Sequence, residues 1–269
     1  MVKADVLNTR LEADLKRAIL EEQFVIHYQP KVDPTSGRIV SAEALIRWDH
    51  PEWGIISPEE FIPLAEDTML IIELGDWVIA SVCRQLKRWR EQEWTIVPIS
   101  INVSAKRFLK SGLAANLRAS LIENELEPYW IELEITETSL IDNGGSASVA
   151  INELRKLGVA LSLDDFGTGY SSISYLKKYK VDYLKIDRSF INGIGMEPDD
   201  EALIRSMLYL ARELNMQVVA EGVETKAQLR FLMKNQCHFI QGYLYSRPLE
   251  EKQFAQLLSK GPIFINVTR

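Results

Sequence analysis

Nine polar side chains set the chemistry this chain can do. Glu43, Asn102, Glu134, Asp164, Asp165, Lys185, Asp187, Glu221 and Gln241 each fall at or just past the end of an apolar, strand-like run. One polar residue at a strand end is ordinary. The same placement on strand after strand gathers the set at one mouth. Buried carboxylates of like sign repel one another and resist ionisation unless a cation joins them. The set therefore predicts a divalent-metal site and chemistry on an anionic substrate.

The elements that would position these residues follow one rhythm: a short β-type run, a polar end, then a helix-type run. Strand candidates lie at 24–30, 39–47, 96–103, 131–136, 160–165, 183–187, 217–222 and 239–244. The clearest helices between them are 71–90, 106–124, 146–157, 200–214 and 226–234, and Ser57-Pro58-Glu59-Glu60 is a good helix start. Leu11, Leu15 and Ile19 give an opening helix one apolar face. About eight strands in this length is the count of a TIM-like (β/α)8 barrel of the α/β class. The first two strands lack an intervening helix. Asp33-Pro34-Thr35-Ser36-Gly37 reads as a turn, so an irregular antiparallel first pair is expected.

Side chains alternate along a strand. Glu43 then shares a face with Arg47, Ser100 with Asn102, Glu132 with Glu134 and Thr136, and Ser162 with Asp164. Lys185 pairs in the same way with Asp187, Val219 with Glu221, and Phe239 with Gln241 and Tyr243. Each strand can thus turn a polar residue inward near its C-terminal end, where barrel enzymes keep their active sites.

The bulk numbers agree. The 269 residues, 46% of them hydrophobic, can bury a large core. A net charge of −7 argues against a general DNA or RNA binder, which carries a basic face. Cys83 and Cys237 form no Cys-x-x-Cys pair and read as reduced thiols of a cytoplasmic protein. His27, His50 and His238 lack zinc-ligand spacing. Residues 1–10 are polar and mixed in charge, unlike a signal peptide, and 69–74 is too short and charged to span a membrane. The chain could equally be the cytoplasmic part of a larger, membrane-anchored sensor. The expected organisation is an N-terminal extension or linker (1–10), a barrel (11–260) and a C-terminal tail (261–269).

Glu43-Ala44-Leu45, followed by Arg47, carries a resemblance to the EAL family of cyclic di-GMP phosphodiesterases. Further segments match in the family's order. They are Tyr28-Gln29-Pro30, Phe61-Ile62-Pro63-Leu64-Ala65-Glu66, Asn102-Val103-Ser104 and Glu134-Ile135-Thr136-Glu137. Then come Asp164-Asp165-Phe166-Gly167-Thr168-Gly169-Tyr170-Ser171-Ser172, Leu184-Lys185-Ile186-Asp187, Ala220-Glu221-Gly222-Val223-Glu224 and Gln241-Gly242-Tyr243.

The resemblance implies a two-metal enzyme, using Mg²⁺ or Mn²⁺, that opens cyclic di-GMP to linear pGpG. Glu43, Asn102, Glu134 and Asp164 resemble ligands of one ion. Asp164 would bridge to the second, with Asp165 and Glu221 around it. Lys185 would contact the attacking water or a phosphate oxygen, with Glu221 the alternative base. Gln29, Arg47 and Gln241 resemble substrate-side residues. Glu137 would hold the glycine loop that couples the site to a homodimer interface. The chemistry fits independently: hard oxygen donors suit these ions, and two ions can activate water and stabilise an in-line displacement.

Plainer readings stand beside these. Glu132 sits deeper than Glu134 and reads as a salt bridge inside the barrel. Asp187 and Glu224 are open between site and structural roles, Glu224 as a cap for the helix after Thr225. His27 reads as a structural strand residue and His238 as a satisfied partner near the last strand. The lysines of 177–180 read as a solvated face, and Trp89 and Trp94 as packing. Asp165-Phe166-Gly167 lacks the companion motifs of a kinase. Gln236-Cys237-His238 departs from the family's Gly-Cys-Asp without touching a proposed ligand. The rival function is a catalytically silent cyclic di-GMP receptor acting through a partner, a role of family members that have lost metal ligands. A barrel of the enolase type would also use carboxylates, Mg²⁺ and lysine, but the paired Asp164 and Asp165 fit it less well.

Overall fold

The computed structural model describes residues 2–140, 145–167 and 173–266. Nine strands are found there: β1 (Phe24–Val32), β2 (Ile39–His50), β3 (Gly54–Ile56), β4 (Ile99–Val103), β5 (Ile131–Thr136), β6 (Ala160–Phe166), β7 (Tyr183–Ile186), β8 (Gln217–Ala220) and β9 (Phe239–Gln241). Eight of them close a ring in the order β1, β9, β8, β7, β6, β5, β4, β2, with β1 pairing back to β2. β3 folds onto the end of β2. From β2 onward the ring is parallel, while β1 runs antiparallel to both neighbours. The TIM-like barrel and its antiparallel first pair are thus both present.

The described helices are α1 (Val2–Leu20), α2 (Pro58–Asp67), α3 (Ile71–Glu91), α4 (Ala105–Leu109), α5 (Leu113–Glu123), α6 (Glu137–Leu140), α7 (Ser146–Leu157), α8 (Ile173–Tyr179), α9 (Arg188–Asn192), α10 (Pro198–Glu213), α11 (Lys226–Lys234) and α12 (Glu251–Ser259). None is long and apolar enough to cross a membrane. α3 shows why they dock: Leu74, Val78, Val82, Leu86 and Trp89 recur every three or four residues and are all buried. They meet the outward faces of the strands, such as Ile99, Ile101 and Val103 of β4. A second cluster packs Leu11, Leu15 and Ala18 of α1 against Phe24, Trp48 and Phe61. α1 runs unbroken across Arg10 and Leu11. At the other end, the Ile263 amide donates to the Gly37 carbonyl at 2.6 Å, laying that stretch against the β1–β2 turn.

Barrel interiors are usually layered with branched apolar side chains. This one is polar: Lys31, Ser100, Glu132, Glu134, Ser162 and Lys185 are all buried on the inward faces.

Some sequence expectations change. The single helix over 106–124 is two, α4 and α5: Lys110 turns to extended backbone after Leu109, and Gly112, at a left-handed φ of 91°, begins α5. β4 starts after Pro98, which has no amide for the ladder. β9 stops at Gln241, and the amides of Tyr245 and Ser246 close a turn on the Gly242 carbonyl. Tyr243 therefore lies past the strand whose face it was expected to share. Trp94, read as packing, is 41% exposed, whereas Trp89 is buried.

Candidate active site

Glu43, Asn102, Glu134, Asp164, Lys185, Glu221 and Gln241 meet at the C-terminal ends of the parallel strands. Lys185 is at their centre, buried with 1% of its side chain exposed. Its Nζ lies 2.5 Å from Glu134 Oε2, 2.6 Å from Glu221 Oε1, 3.0 Å from Asp164 Oδ2 and 3.8 Å from Glu43 Oε2. Glu43 also accepts from Asn102 Nδ2 and Gln241 Nε2, each at 2.5 Å. Gln241 Nε2 donates to Gln29 Oε1 at 3.1 Å, and Gln29 Nε2 to the Ser246 carbonyl. β1 brings Gln29 here because its antiparallel run sets Gln29 directly opposite Glu43.

Asp164 and Asp165 are consecutive, and consecutive strand residues normally face opposite ways. Two features lift that constraint. Asp165 has a left-handed φ of 56°, and the β6–β7 register breaks between Leu163 and Phe166. The Asp165 amide bonds Asp164 Oδ1 at 2.9 Å. Asp187 begins α9 by accepting from the Ser189 amide at 2.9 Å, so a capping role is secure, and it also bears electrostatically on Asp165. The cap of α11 is made by Thr225 and Gln228, not by Glu224. Glu224 instead lines the cleft over the site, about 420 Å³, with Arg188, Asn192 and Tyr243. Arg47 is half-buried on the inward face of β2, four residues beyond Glu43, and donates to the Ile46 carbonyl. Glu137 is the buried first residue of α6. Residues 168–172 of the glycine loop lie outside the described residues. A larger groove of about 720 Å³ lies outside the barrel between β1 and α3 and holds none of the candidate residues.

The plainer readings mostly hold. Glu132 is bridged by Lys31. His27 is a residue of β1, and His238 Nδ1 accepts from the Val218 amide at 3.1 Å. Lys177, Lys178 and Lys180 are exposed. The residue that sequence reading missed is Lys31, which bonds both Glu132 and Glu134. The signal was present: Lys31 shares the inward face of β1 with Gln29.

Charge governs the site. Burial raises the carboxyl pKa of Glu43, with Glu134 reinforcing it. Burial, Asp164 and Asp187 do the same to Asp165, and burial pushes Glu221 up to about 8. Burial also works against the charge on Lys185. Glu134, Glu221, Glu43 and Asp164 together outweigh it and hold the ammonium well above the ordinary lysine value. Glu134 resists the same burial because Lys185 and Lys31 lower it to about 2.

Among the described residues the carboxylates Glu43, Glu132, Glu134, Asp164, Asp165 and Glu221 outnumber the ammoniums of Lys31 and Lys185 set among them, with Arg47 bearing on Glu43 from the rim. Hard oxygen donors that outnumber the buried ammoniums suit a divalent cation.

A parallel barrel with acidic strand ends at its C-terminal mouth is the class that fold and site define. The EAL domain family model matches residues 12–248, and the chain belongs to that family. It is 43% identical over 240 residues to the bifunctional diguanylate cyclase/cyclic di-GMP phosphodiesterase MucR of Pseudomonas aeruginosa, covering 89% of this chain and 35% of that protein. It is 39% identical over 244 residues to the cyclic di-GMP phosphodiesterase PdeR of Escherichia coli, covering 91% and 37%. Among solved structures it resembles the PaMucR phosphodiesterase in complex with c-di-GMP, with a TM-score of 0.86 and 42% identity over 91% of this chain and 99% of that one. The chain spans about a third of the length of the curated relatives it matches.

Proposed function

We propose that this chain is a divalent-metal-dependent phosphodiesterase that hydrolyses cyclic di-GMP to linear pGpG. The observation that carries the reading is the convergence of Glu43, Glu134, Asp164 and Glu221 around Lys185, with Asn102 bonded to Glu43. Relatives at about 40% identity that are named as cyclic di-GMP phosphodiesterases support the substrate.

Glu43, Asn102, Glu134 and Asp164 would hold one ion, and Asp164, Asp165 and Glu221 the second. When bound, the pair would supply a water activated at neutral pH and charge to offset the phosphodiester oxygens. Lys185 orients that water or a phosphate oxygen through its ammonium, which the surrounding carboxylates keep charged. Glu221, at the edge of the cluster, is the alternative base, able to take a proton once bound cations have ionised it. Gln29 and Gln241 fix the floor of the cleft, and Arg47 meets the ligand's phosphate at the rim. Asp187 positions α9 beside Asp165, and Glu224 borders the cleft. The substrate is bound as a free cyclic dinucleotide, without a DNA or RNA polymer.

The same reading assigns 11–260 to the catalytic barrel, 1–10 to a linker and 261–269 to a tail. It also assigns a homodimer, with Glu137 tying the glycine loop to its interface, and a cytoplasmic setting without membrane insertion by this chain.

Product chromatography tests it. Purified chain with cyclic di-GMP and Mg²⁺ or Mn²⁺ should give pGpG, and EDTA should abolish it. Tight binding without turnover would favour the silent receptor.

A further inference from the structure

Beneath the cleft lies a second buried cation that the proposed reaction leaves without a role. β1 descends into the barrel against the direction of the other strands, so Gln29 stands at the mouth and Lys31 one step below it. Lys31 pairs across the ladders with Ser41 on one side and Gln241 on the other. Its side chain is 1% exposed, and its Nζ donates to Glu134 Oε1 at 2.7 Å and to Glu132 Oε1 at 3.0 Å. Lys185 meets the other oxygen of the same carboxylate, Glu134 Oε2, at 2.5 Å. The two oxygens of Glu134 are thus divided between a lysine below and a lysine at the mouth.

Stability gives no reason for this arrangement. Replacing a buried ion triad by well-packed apolar residues is often neutral or stabilising, because desolvation consumes most of the Coulomb energy. What the triad does provide is direction. A carboxylate gripped at one oxygen has its plane fixed, and the other oxygen can point only one way. Groups that orient a ligand from behind commonly set metal affinity by about 10- to 100-fold.

We propose that Lys31 is a positioning residue: it holds Glu134 from below so that Oε2 faces the mouth for a divalent cation, while Glu132 serves only to balance the charge of Lys31. This rests on the metal-site reading above. Lys31 itself touches neither substrate nor ion.

Lys31→Met alone would strand Glu132 without a partner and could unfold the barrel. The informative pair is therefore Glu132→Gln and the double variant Lys31→Met/Glu132→Gln, which empties the interior of both charges. Each is compared with wild type by thermal midpoint without metal, by Mn²⁺ affinity from titration followed by electron paramagnetic resonance, and by kcat and KM for cyclic di-GMP.

Glu132→Gln keeps the Lys31–Glu134 bond and should bind Mn²⁺ within about threefold of wild type. The double variant should melt near wild type yet bind Mn²⁺ about 10- to 100-fold more weakly. Its kcat should fall more than its KM rises. Wild-type Mn²⁺ affinity in a folded double variant would overturn the proposal. So would an equal loss in Glu132→Gln, because Lys31 would then not be the agent. If wild type itself produced no pGpG, the phosphodiesterase reading would fail, and the Mn²⁺ affinities would still decide the role of Lys31.

Discussion

Glu43 and Arg47 stand four residues apart on one face of β2 but belong to different parts of the chemistry. Glu43 is buried and bonded to Asn102 and Gln241, so Glu43→Ala removes a ligand and loosens two neighbours. The expected loss is about 100- to 1000-fold in kcat, the scale of removing one charge-stabilising group. Arg47 is half-buried at the rim, where a bidentate grip on phosphate is worth most in binding. Arg47→Ala should raise KM about tenfold with a smaller change in kcat. Steady-state kinetics on the two variants separates these outcomes, and identical profiles would contradict the division of roles. At this scale most of the site was legible, because strand-end placement alone singles out Glu43, Glu134, Asp164 and Lys185. Lys31 was missed because the expected first strand stopped at Pro30, one residue short of it, although the alternation through Gln29 carries on to Lys31.

Elements decide how finely those residues are aimed. The link between β8 and β9 is one example. A Cβ on Gly242 would collide with the backbone of Val223, whose amide bonds the Gln241 carbonyl at 3.1 Å. Gly242→Ala should therefore destabilise by about 1–3 kcal/mol and lower turnover by displacing Gln241. A melting curve and a kcat measurement check both. The antiparallel β1 was readable from the missing helix between the first two strands. The break at Asp165 was not, because a left-handed φ at an aspartate and a shifted register leave no compositional trace. Likewise, the split between α4 and α5 falls at Lys110 and Gly112, residues that a helix interior can tolerate at modest cost. Glu137 opens α6, and Glu137→Ala should preserve the melting temperature while lowering activity and dimer content. Sedimentation together with an activity assay tests that, and a fully active dimer would sink the coupling role.

The whole molecule carries the imbalance of charge at its mouth. Glu221 titrates at about 8 in the fold against 4.5 for a free glutamate, chiefly through burial. Its folded pKa is the higher one, so the native state holds the extra proton between those values. Stability of the metal-free chain should therefore fall as pH rises through that window. Glu221→Gln should flatten the decline, and saturating Mn²⁺ should reverse it by neutralising the cluster. Thermal melts from pH 5 to 9 with and without metal read this out. A melting temperature that rises across the window in metal-free wild type would contradict it.

The central claim is that the mouth holds two divalent ions, and anomalous diffraction from crystals grown with Mn²⁺ and cyclic di-GMP tests it most directly. The account predicts two peaks about 3.5–4 Å apart. One should be bound by Glu43, Asn102, Glu134 and Asp164, and the other by Asp164, Asp165 and Glu221. Lys185 should be displaced from its contact with Glu134 Oε2. A mouth without manganese, with Lys185 still seated among the carboxylates in the presence of the dinucleotide, would contradict it.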